Sequence, residues 1–221
     1  MTHAAAPAQA LRAALVATAR AMSAARLNTG TAGNASVRTD DGMLITPSGM
    51  APEACTPADM VFVAHDGSAS GPFAPSSEWR MHADVYARRR EAGAIVHTHA
   101  PAATALACQR LAIPPFHYMI ARFGGSTIRC TRYATFGTQA LADHVADALA
   151  ERCACLIANH GMLVFGRDLA HALALAIEFE ALCEQYWRTL QLGPPVLLSA
   201  AEMSEVVERF RWYGTPQHSG R

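Results

Sequence analysis

Three histidines have the spacing of metal ligands. His97 and His99 stand two residues apart at the end of a predicted strand, residues 94–99, so both imidazoles project from the same face. His160 follows the end of a second predicted strand, and Gly161 is expected to turn the backbone sharply just after it. Three neutral imidazoles form a nitrogen-rich site that suits Zn²⁺ and leaves a position open for substrate. Spacing alone leaves a second interpretation, in which the His-x-His pair consists of buried, hydrogen-bonded core histidines.

A second group of polar residues offers hydroxyls and backbone amides to an anion. Ser76 and Ser77 are predicted to begin a helix over residues 76–90, with Glu78 in its first turn. Helix capping is the simpler interpretation of these three residues. A helix start with free N–H groups is also a phosphate site that needs no lysine. Two loops of small residues, 30–34 and 46–49, add exposed amides, and together the three segments would form an anion nest.

The composition excludes several classes of function. The 221 residues contain eighteen basic and eighteen acidic side chains, and every basic one is arginine. The absence of lysine removes Schiff-base mechanisms, and zero net charge provides no general attraction to nucleic acid or an anionic membrane. No apolar run approaches the roughly 20 residues of a membrane span. Six cysteines in a chain of this length do not make a disulfide scaffold, so we expect a cytoplasmic protein.

Helices and strands alternate along the chain and must position these residues. Helices are predicted over residues 7–27, 76–90, 101–110, 138–152, 168–190 and 200–211. Strands are predicted over residues 35–38, 43–46, 60–64, 94–99, 126–130 and 155–158. This order predicts a layered α/β fold in which helices flank a mixed, largely antiparallel sheet. With no repeat, linker or charge block, the chain is expected to form a single domain, residues 1–221.

Read in order, these segments resemble the class II aldolase/adducin family. The resemblance runs nearly end to end and is carried by the phrases GTAGNASVR, GMLITPSGM, PSSEWRMH, IVHTHA, IPPFHYMIA, RYATFGTQAL, NHG and FRWYG. It implies a class II aldolase-like fold and a homotetramer with active sites between subunits. It also implies retro-aldol cleavage of a ketose 1-phosphate, such as L-fuculose 1-phosphate, into dihydroxyacetone phosphate and an aldehyde.

The resemblance implies roles for individual residues. The ligands of one Zn²⁺ per subunit are matched by His97, His99 and His160, and Glu78 matches a carboxylate that approaches the metal and transfers protons. The phosphate-binding positions are matched by Gly33, Asn34, Ser48, Gly49, Ser76 and Ser77. Two catalytic tyrosines are matched by Tyr118, offered by a neighbouring subunit, and Tyr213, on the C-terminal tail. From the residues alone, surface or interface packing is the simpler interpretation of both tyrosines. Phe136 matches an aromatic residue near the substrate.

Three departures from the fuculose enzymes leave the aldehyde open. Arg122 and Phe123 stand where small residues are expected, and Asn159 replaces the residue before the third histidine. A bulkier Phe123 suits the apolar tail of 5-deoxyribulose 1-phosphate or 5-(methylthio)ribulose 1-phosphate. A pentulose-phosphate 4-epimerase and a non-catalytic adducin-like interaction module are further alternatives, and the intact histidine and glutamate set weighs against the module.

Overall fold

The computed structural model describes residues 5–210, in which eight strands form one sheet. The strands are β1 (Asn34–Thr39), β2 (Gly42–Ile45), β3 (Val61–Ala64), β4 (Ala69–Ser70), β5 (Ala94–Thr98), β6 (Arg129–Cys130), β7 (Ala154–Ile157) and β8 (Gly161–Gly166). Their order across the sheet is β4-β3-β2-β1-β5-β8-β7-β6. All neighbouring strands are antiparallel except β6 and β7, which are parallel. The predicted mixed, largely antiparallel sheet is confirmed.

Helices cover both faces of the sheet. They are α1 (Ala5–Ala24), α2 (Trp79–Arg88), α3 (Pro101–Cys108), α4 (Gln139–Ala148), α5 (Leu169–Leu192) and α6 (Ala200–Phe210), with 3₁₀ turns at Pro57–Asp59 and Tyr118–Phe123. On one face α2 and α4 pack together over the sheet, and α1, α3 and α5 cover the other face. Within residues 5–210, no helix combines the length and apolar character needed to cross a bilayer.

The central strand β5 is covered by helices on both of its faces. Ile95 contributes to the core beneath α2 and α4, whereas its neighbour Val96 contributes to the core beneath α1, α3 and α5. All five residues of β5 are buried, because helices cover both sides. His97, two residues after Ile95, therefore projects toward the face on which α2 begins.

One central strand, β8, is absent from the elements predicted from the sequence. β8 lies between β5 and β7, and all six of its residues are buried. A strand covered on both faces has no polar and apolar alternation, and the glycines at its two ends resemble turn residues. At the sheet edge the prediction was too long, since β6 comprises only Arg129–Cys130 of the predicted 126–130.

The predicted start of α2 was three residues early. The helix begins at Trp79, and Ser76 lies before it in an extended segment. The Ser76 amide donates to the Thr46 carbonyl at 3.1 Å, and Pro75 forms a bridge with Pro47. This pairing joins the segment before α2 to the loop after β2, which brings two of the three predicted anion-binding segments together.

Candidate active site

Four side chains of the metal-binding type converge beside the sheet. Glu78 is the N-cap residue of α2, His97 and His99 lie at the end of β5, and His160 lies in the turn between β7 and β8. One possible ligand atom from each residue lies within 4.8 Å of every other. The Glu78 carboxylate lies 3.0 Å from His97 Nε2 through Oε2 and 3.1 Å from His160 Nε2 through Oε1. The Nε2 atoms of His97 and His99 are 3.2 Å apart.

The strand pairing explains how residues so far apart in sequence meet. His97 pairs with Asn34 of β1 on one side and with Leu163 of β8 on the other. The turn into β8 uses Asn159, whose φ of 53° lies in the left-handed region. The expectation that Gly161 makes this turn was wrong. A Cβ at Gly161 would lie 2.2 Å from the Thr98 carbonyl oxygen, so glycine is needed for the close approach of β8 to β5.

Hydrogen bonding favours a cation among these four residues. His97 Nδ1 lies 2.9 Å from the Met162 carbonyl oxygen, to which only an N–H can donate, so the Nε2 lone pair of neutral His97 faces the centre. Glu78 Oε1 is buried and makes no hydrogen bond of acceptable geometry within residues 5–210. The lone pair of His97 and an unsatisfied carboxylate oxygen, directed at one point beside two further imidazoles, are donors that suit a divalent metal ion. The residues present fit such an ion.

The pKa shifts of Glu78 and His99 agree with a role as metal ligands. Burial alone would raise the pKa of Glu78, but the neighbouring His97 and His160 imidazoles outweigh it and lower the pKa, so the carboxyl is ionised. Burial, with the other two histidines, lowers the pKa of His99 to about 4 and keeps it neutral. For His97, burial lowers the pKa but the Glu78 carboxylate more than offsets this, so the pKa is raised.

A cavity of about 370 Å³ opens over the cluster, a size that suits a small ligand. Its lining includes Glu78, His99 and His160. All six positions expected to bind phosphate also line it: Gly33, Asn34, Ser48, Gly49, Ser76 and Ser77. Aromatic surface is added by Tyr133 and Phe136. The cavity thus joins a metal-type cluster to three loops that carry hydroxyls and amides.

The simple capping interpretation of Glu78 was wrong. Glu78 occupies the N-cap position of α2, yet its side chain makes no capping hydrogen bond. The carboxylate is only 7% exposed and turns toward the histidines instead. Ser76 is the residue with a local capping contact, since its hydroxyl accepts from the Glu78 amide at 3.3 Å.

Tyr118 and Phe123, two residues expected near the substrate, lie away from this cavity. Tyr118 is half exposed in the 3₁₀ turn and stacks on Phe210, so within one chain it is not brought to Glu78. Tyr213 lies outside the described residues. The expected contact between Phe123 and a substrate tail was wrong, because Phe123 is fully buried and packs on Phe179 at 5.2 Å between ring centroids. Its neighbour Arg122 pairs with Glu178 at 2.6 Å.

A set of buried polar side chains, not predicted from the sequence, lies behind Glu78. His82 and Tyr86 lie on α2, and both reach Ser36 on β1. His82 also reaches Asn34, which contacts Glu78. Their only signal in the sequence is the four-residue spacing of His82 and Tyr86, which places them on one face of a helix.

Comparison with known proteins gives the family. The model for the class II aldolase and adducin N-terminal domain matches residues 13–187. The chain belongs to the class II aldolase/adducin family. One relative is a 5-methylthioribulose-1-phosphate/5-deoxyribulose-1-phosphate aldolase of Rhodospirillum rubrum. It is 52% identical to this chain over 205 residues, which are 93% of each chain. An L-fuculose phosphate aldolase of Escherichia coli strain K12 is 47% identical over 85% of this chain and 88% of its own.

Solved structures agree with this assignment. An L-fuculose 1-phosphate aldolase superposes with a TM-score of 0.88 at 37% identity, covering 91% of this chain and 96% of its own. The chain is therefore a class II aldolase, a metal-dependent lyase of carbohydrate metabolism. The expected family and fold are confirmed, and the alternative of a non-catalytic module is removed.

Proposed function

We propose that this aldolase cleaves 5-(methylthio)ribulose 1-phosphate or 5-deoxyribulose 1-phosphate into dihydroxyacetone phosphate and a short aldehyde. The observation that carries the proposal is the 52% identity, over 93% of both chains, with the Rhodospirillum rubrum enzyme named for these two substrates. A second relative with the same name, from an Escherichia coli O45:K1 strain, is 43% identical over 90% of this chain.

Zinc is the metal that we assign to the cluster, one ion per chain. Three imidazoles and a carboxylate are ligands that zinc accepts, and His97, His99, His160 and Glu78 are the residues that would hold it. When bound, the ion supplies a Lewis acid that stabilises negative charge developing on substrate oxygens, typically by several kcal/mol. A chain without lysine has no iminium route to the same stabilisation.

Phosphate recognition is assigned to hydroxyls and amides rather than to cationic side chains. Ser48, Gly49 and Ser77 are exposed at the cavity, where they are available to an incoming anion. Gly33 reaches the same cavity through a backbone with φ of 75°, and a Cβ there would lie 2.3 Å from the Asn28 side chain. Hydroxyl groups and backbone N–H groups suit this role because they can bind a phosphate without a cationic side chain.

Proton transfer is assigned to Glu78 and to a tyrosine. Glu78 is ionised and lines the cavity, so in the condensation direction it can take a proton from C3 of dihydroxyacetone phosphate. In cleavage the protonated carboxyl returns that proton to the same carbon, and the proton released by the substrate C4 hydroxyl balances it. Tyr118 is exposed and remote from Glu78 within one chain. We therefore propose that Tyr118 of the partner subunit, in a homotetramer, takes the proton of the substrate C4 hydroxyl, and that Tyr213 is the second catalytic tyrosine.

L-Fuculose 1-phosphate is the second candidate substrate. The support is the 47% identity to the Escherichia coli enzyme and the superposition on a solved L-fuculose 1-phosphate aldolase. The two candidates share the dihydroxyacetone phosphate half and differ in the aldehyde released. Asn159, exposed on the cavity lining next to His160, is the departure from the fuculose pattern that remains in a position to contact that aldehyde.

The experiment that tests the substrate is a comparison of kcat/KM for the three ketose 1-phosphates. The zinc-loaded protein is assayed by coupling dihydroxyacetone phosphate formation to NADH oxidation. We expect the methylthio and deoxy substrates to be cleaved at least tenfold more efficiently than L-fuculose 1-phosphate, a difference of about 1.4 kcal/mol. A preference for L-fuculose 1-phosphate would select the second candidate. Interconversion of pentulose phosphates without cleavage would reveal an epimerase and overturn both.

A further inference from the structure

An unbroken chain of buried hydrogen bonds runs from Glu78 into the interior between α2 and β1. Asn34 Nδ2 lies 2.9 Å from Glu78 Oε2, and Asn34 Oδ1 lies 2.6 Å from His82 Nε2. His82 Nδ1 lies 2.7 Å from Ser36 Oγ, which lies 2.8 Å from the Tyr86 hydroxyl. Asn34 and Tyr86 are 6% exposed, and His82 and Ser36 are fully buried.

The chemistry of these groups fixes the direction of every bond. The ionised Glu78 carboxylate only accepts, so Asn34 must present its NH₂ to it and its carbonyl oxygen to His82. His82 must then carry its proton on Nε2. Burial lowers the pKa of His82 to about 3, so the ring is neutral and Nδ1 accepts from the Ser36 hydroxyl. Ser36 in turn accepts from Tyr86.

The hydrogen bond from His82 fixes the orientation of the Asn34 amide. If the His82 donor were removed, nothing among these contacts would prevent the amide from rotating to place its carbonyl oxygen beside Glu78 Oε2. Two acceptors about 2.9 Å apart repel, and each would lose a hydrogen bond in a buried site. His82 therefore determines which group Glu78 meets, although it does not touch Glu78.

We propose that His82 is a positioning residue for Glu78, acting through the Asn34 amide to hold Oε2 and to keep Oε1 directed at His160. The proposal rests on the function proposed above in one respect, since it takes Glu78 as a ligand of the metal. Ser36 and Tyr86 support the tautomer of His82. The alternative interpretation is that His82 is a buried core histidine whose hydrogen bonds stabilise the fold and have no effect on Glu78.

Two amide substitutions at one position separate these interpretations. His82→Gln places an N–H near the position of Nε2 and retains the bond to Asn34, whereas His82→Asn places its amide near Nδ1 and loses that bond. The protein is stripped of metal and titrated with Co²⁺, whose visible absorption reports both affinity and ligand geometry. Loss of a group that orients a ligand lowers metal affinity by about 10–100-fold. We expect that loss, with an altered spectrum, in His82→Asn, and an affinity within about threefold of the parent in His82→Gln.

The same titration in a Glu78→Gln background tests the route of the effect. Three histidines remain there to bind Co²⁺, and His82→Asn should cause no further loss of affinity because the carboxylate it positions is gone. Equal losses in His82→Gln and His82→Asn, or the same loss in both backgrounds, would overturn the positioning role. A parent protein that binds no Co²⁺ would overturn the metal site itself, and this inference with it.

A second substitution keeps the test available if His82→Asn does not fold. Asn34→Leu retains the approximate shape of the side chain but removes the link between His82 and Glu78. It should weaken Co²⁺ binding by the same factor, about tenfold or more, when Glu78 is present, and leave it unchanged in the Glu78→Gln background. An equal loss in both backgrounds would show that the link acts only on folding.

Discussion

Glu78→Gln separates the chemical role of this residue from any structural one. The substitution keeps the shape of the side chain and an oxygen that can accept from Asn34, but it removes the negative charge that faces His97 and His160 at 3.0 and 3.1 Å. Because the Glu78 side chain makes no capping hydrogen bond, α2 loses no cap. We therefore expect no loss in the free energy of unfolding from helix capping.

The effect on rate should be large. A positioned general acid or base contributes about 10²–10⁴-fold, which corresponds to about 2.7–5.4 kcal/mol of transition-state stabilisation. Exchange of a C3 hydrogen of dihydroxyacetone phosphate with deuterium from solvent isolates this step, because it needs no aldehyde. Followed by NMR on protein of checked metal content, exchange and cleavage should both fall by at least about a hundredfold.

Glu180→Gln is the matched control. The Glu180 carboxylate accepts from the backbone amides of Ala102 and Ala103, so it does cap α3, and Glu180 does not line the cavity over the metal-type cluster. Loss of a charge at a helix N-terminus costs about 0.3–1 kcal/mol. We expect Glu180→Gln to lose stability but not exchange activity, the reverse of Glu78→Gln. Exchange at the parental rate in Glu78→Gln would refute the assignment of this carboxylate to proton transfer.

Three further predictions test the ligands, the anion site and the buried histidine. His97→Ala should lose metal, measured by elemental analysis, together with cleavage, and a full metal content would contradict its ligand role. Ser76→Ala with Ser77→Ala should lower kcat/KM about ten- to thousandfold, since a hydrogen bond to a charged group contributes about 1.5–3 kcal/mol, and an unchanged preference for phosphorylated over free ketose would refute this. For His82, burial lowers the pKa from 6.5 to about 3, so between these values only the unfolded chain takes up a proton and stability falls as pH falls. From pH 7 to pH 5 the metal-free parent should lose about 2 kcal/mol more than His82→Gln in urea unfolding, and equal losses would be the contrary result.

The sequence predicted the helices better than the sheet. Helices with one apolar face and a recognisable cap were found close to their true bounds, as at Thr138 and Asp168, whose side chains accept from the amides of Leu141 and His171. β8 was missed because burial on both faces removes the alternation that marks a strand. The sheet order that places β8 between β5 and β7 is a long-range property that no local pattern expresses.

At the site, residue type and strand period predicted which histidines meet, but not what surrounds them. Glu78 follows two serines at a helix start, so its local context matches a cap, and only the approach of β5 and the β7–β8 turn shows which way it points. Phe123 was expected to suit the apolar tail of the substrate, yet the 3₁₀ turn directs it into the core. The link from His82 to Glu78 depends on contacts between α2 and β1, which are 48 positions apart at Asn34 and His82.

The central claim is that cleavage depends on a metal held by Glu78 and the three histidines. The most direct measurement is product analysis with 5-(methylthio)ribulose 1-phosphate, using protein stripped of metal and the same protein after one equivalent of Zn²⁺ per chain is restored. The zinc-loaded protein should release dihydroxyacetone phosphate and aldehyde in equal amounts, and the stripped protein should release neither. Cleavage at an undiminished rate by protein whose measured metal content is near zero would contradict the account.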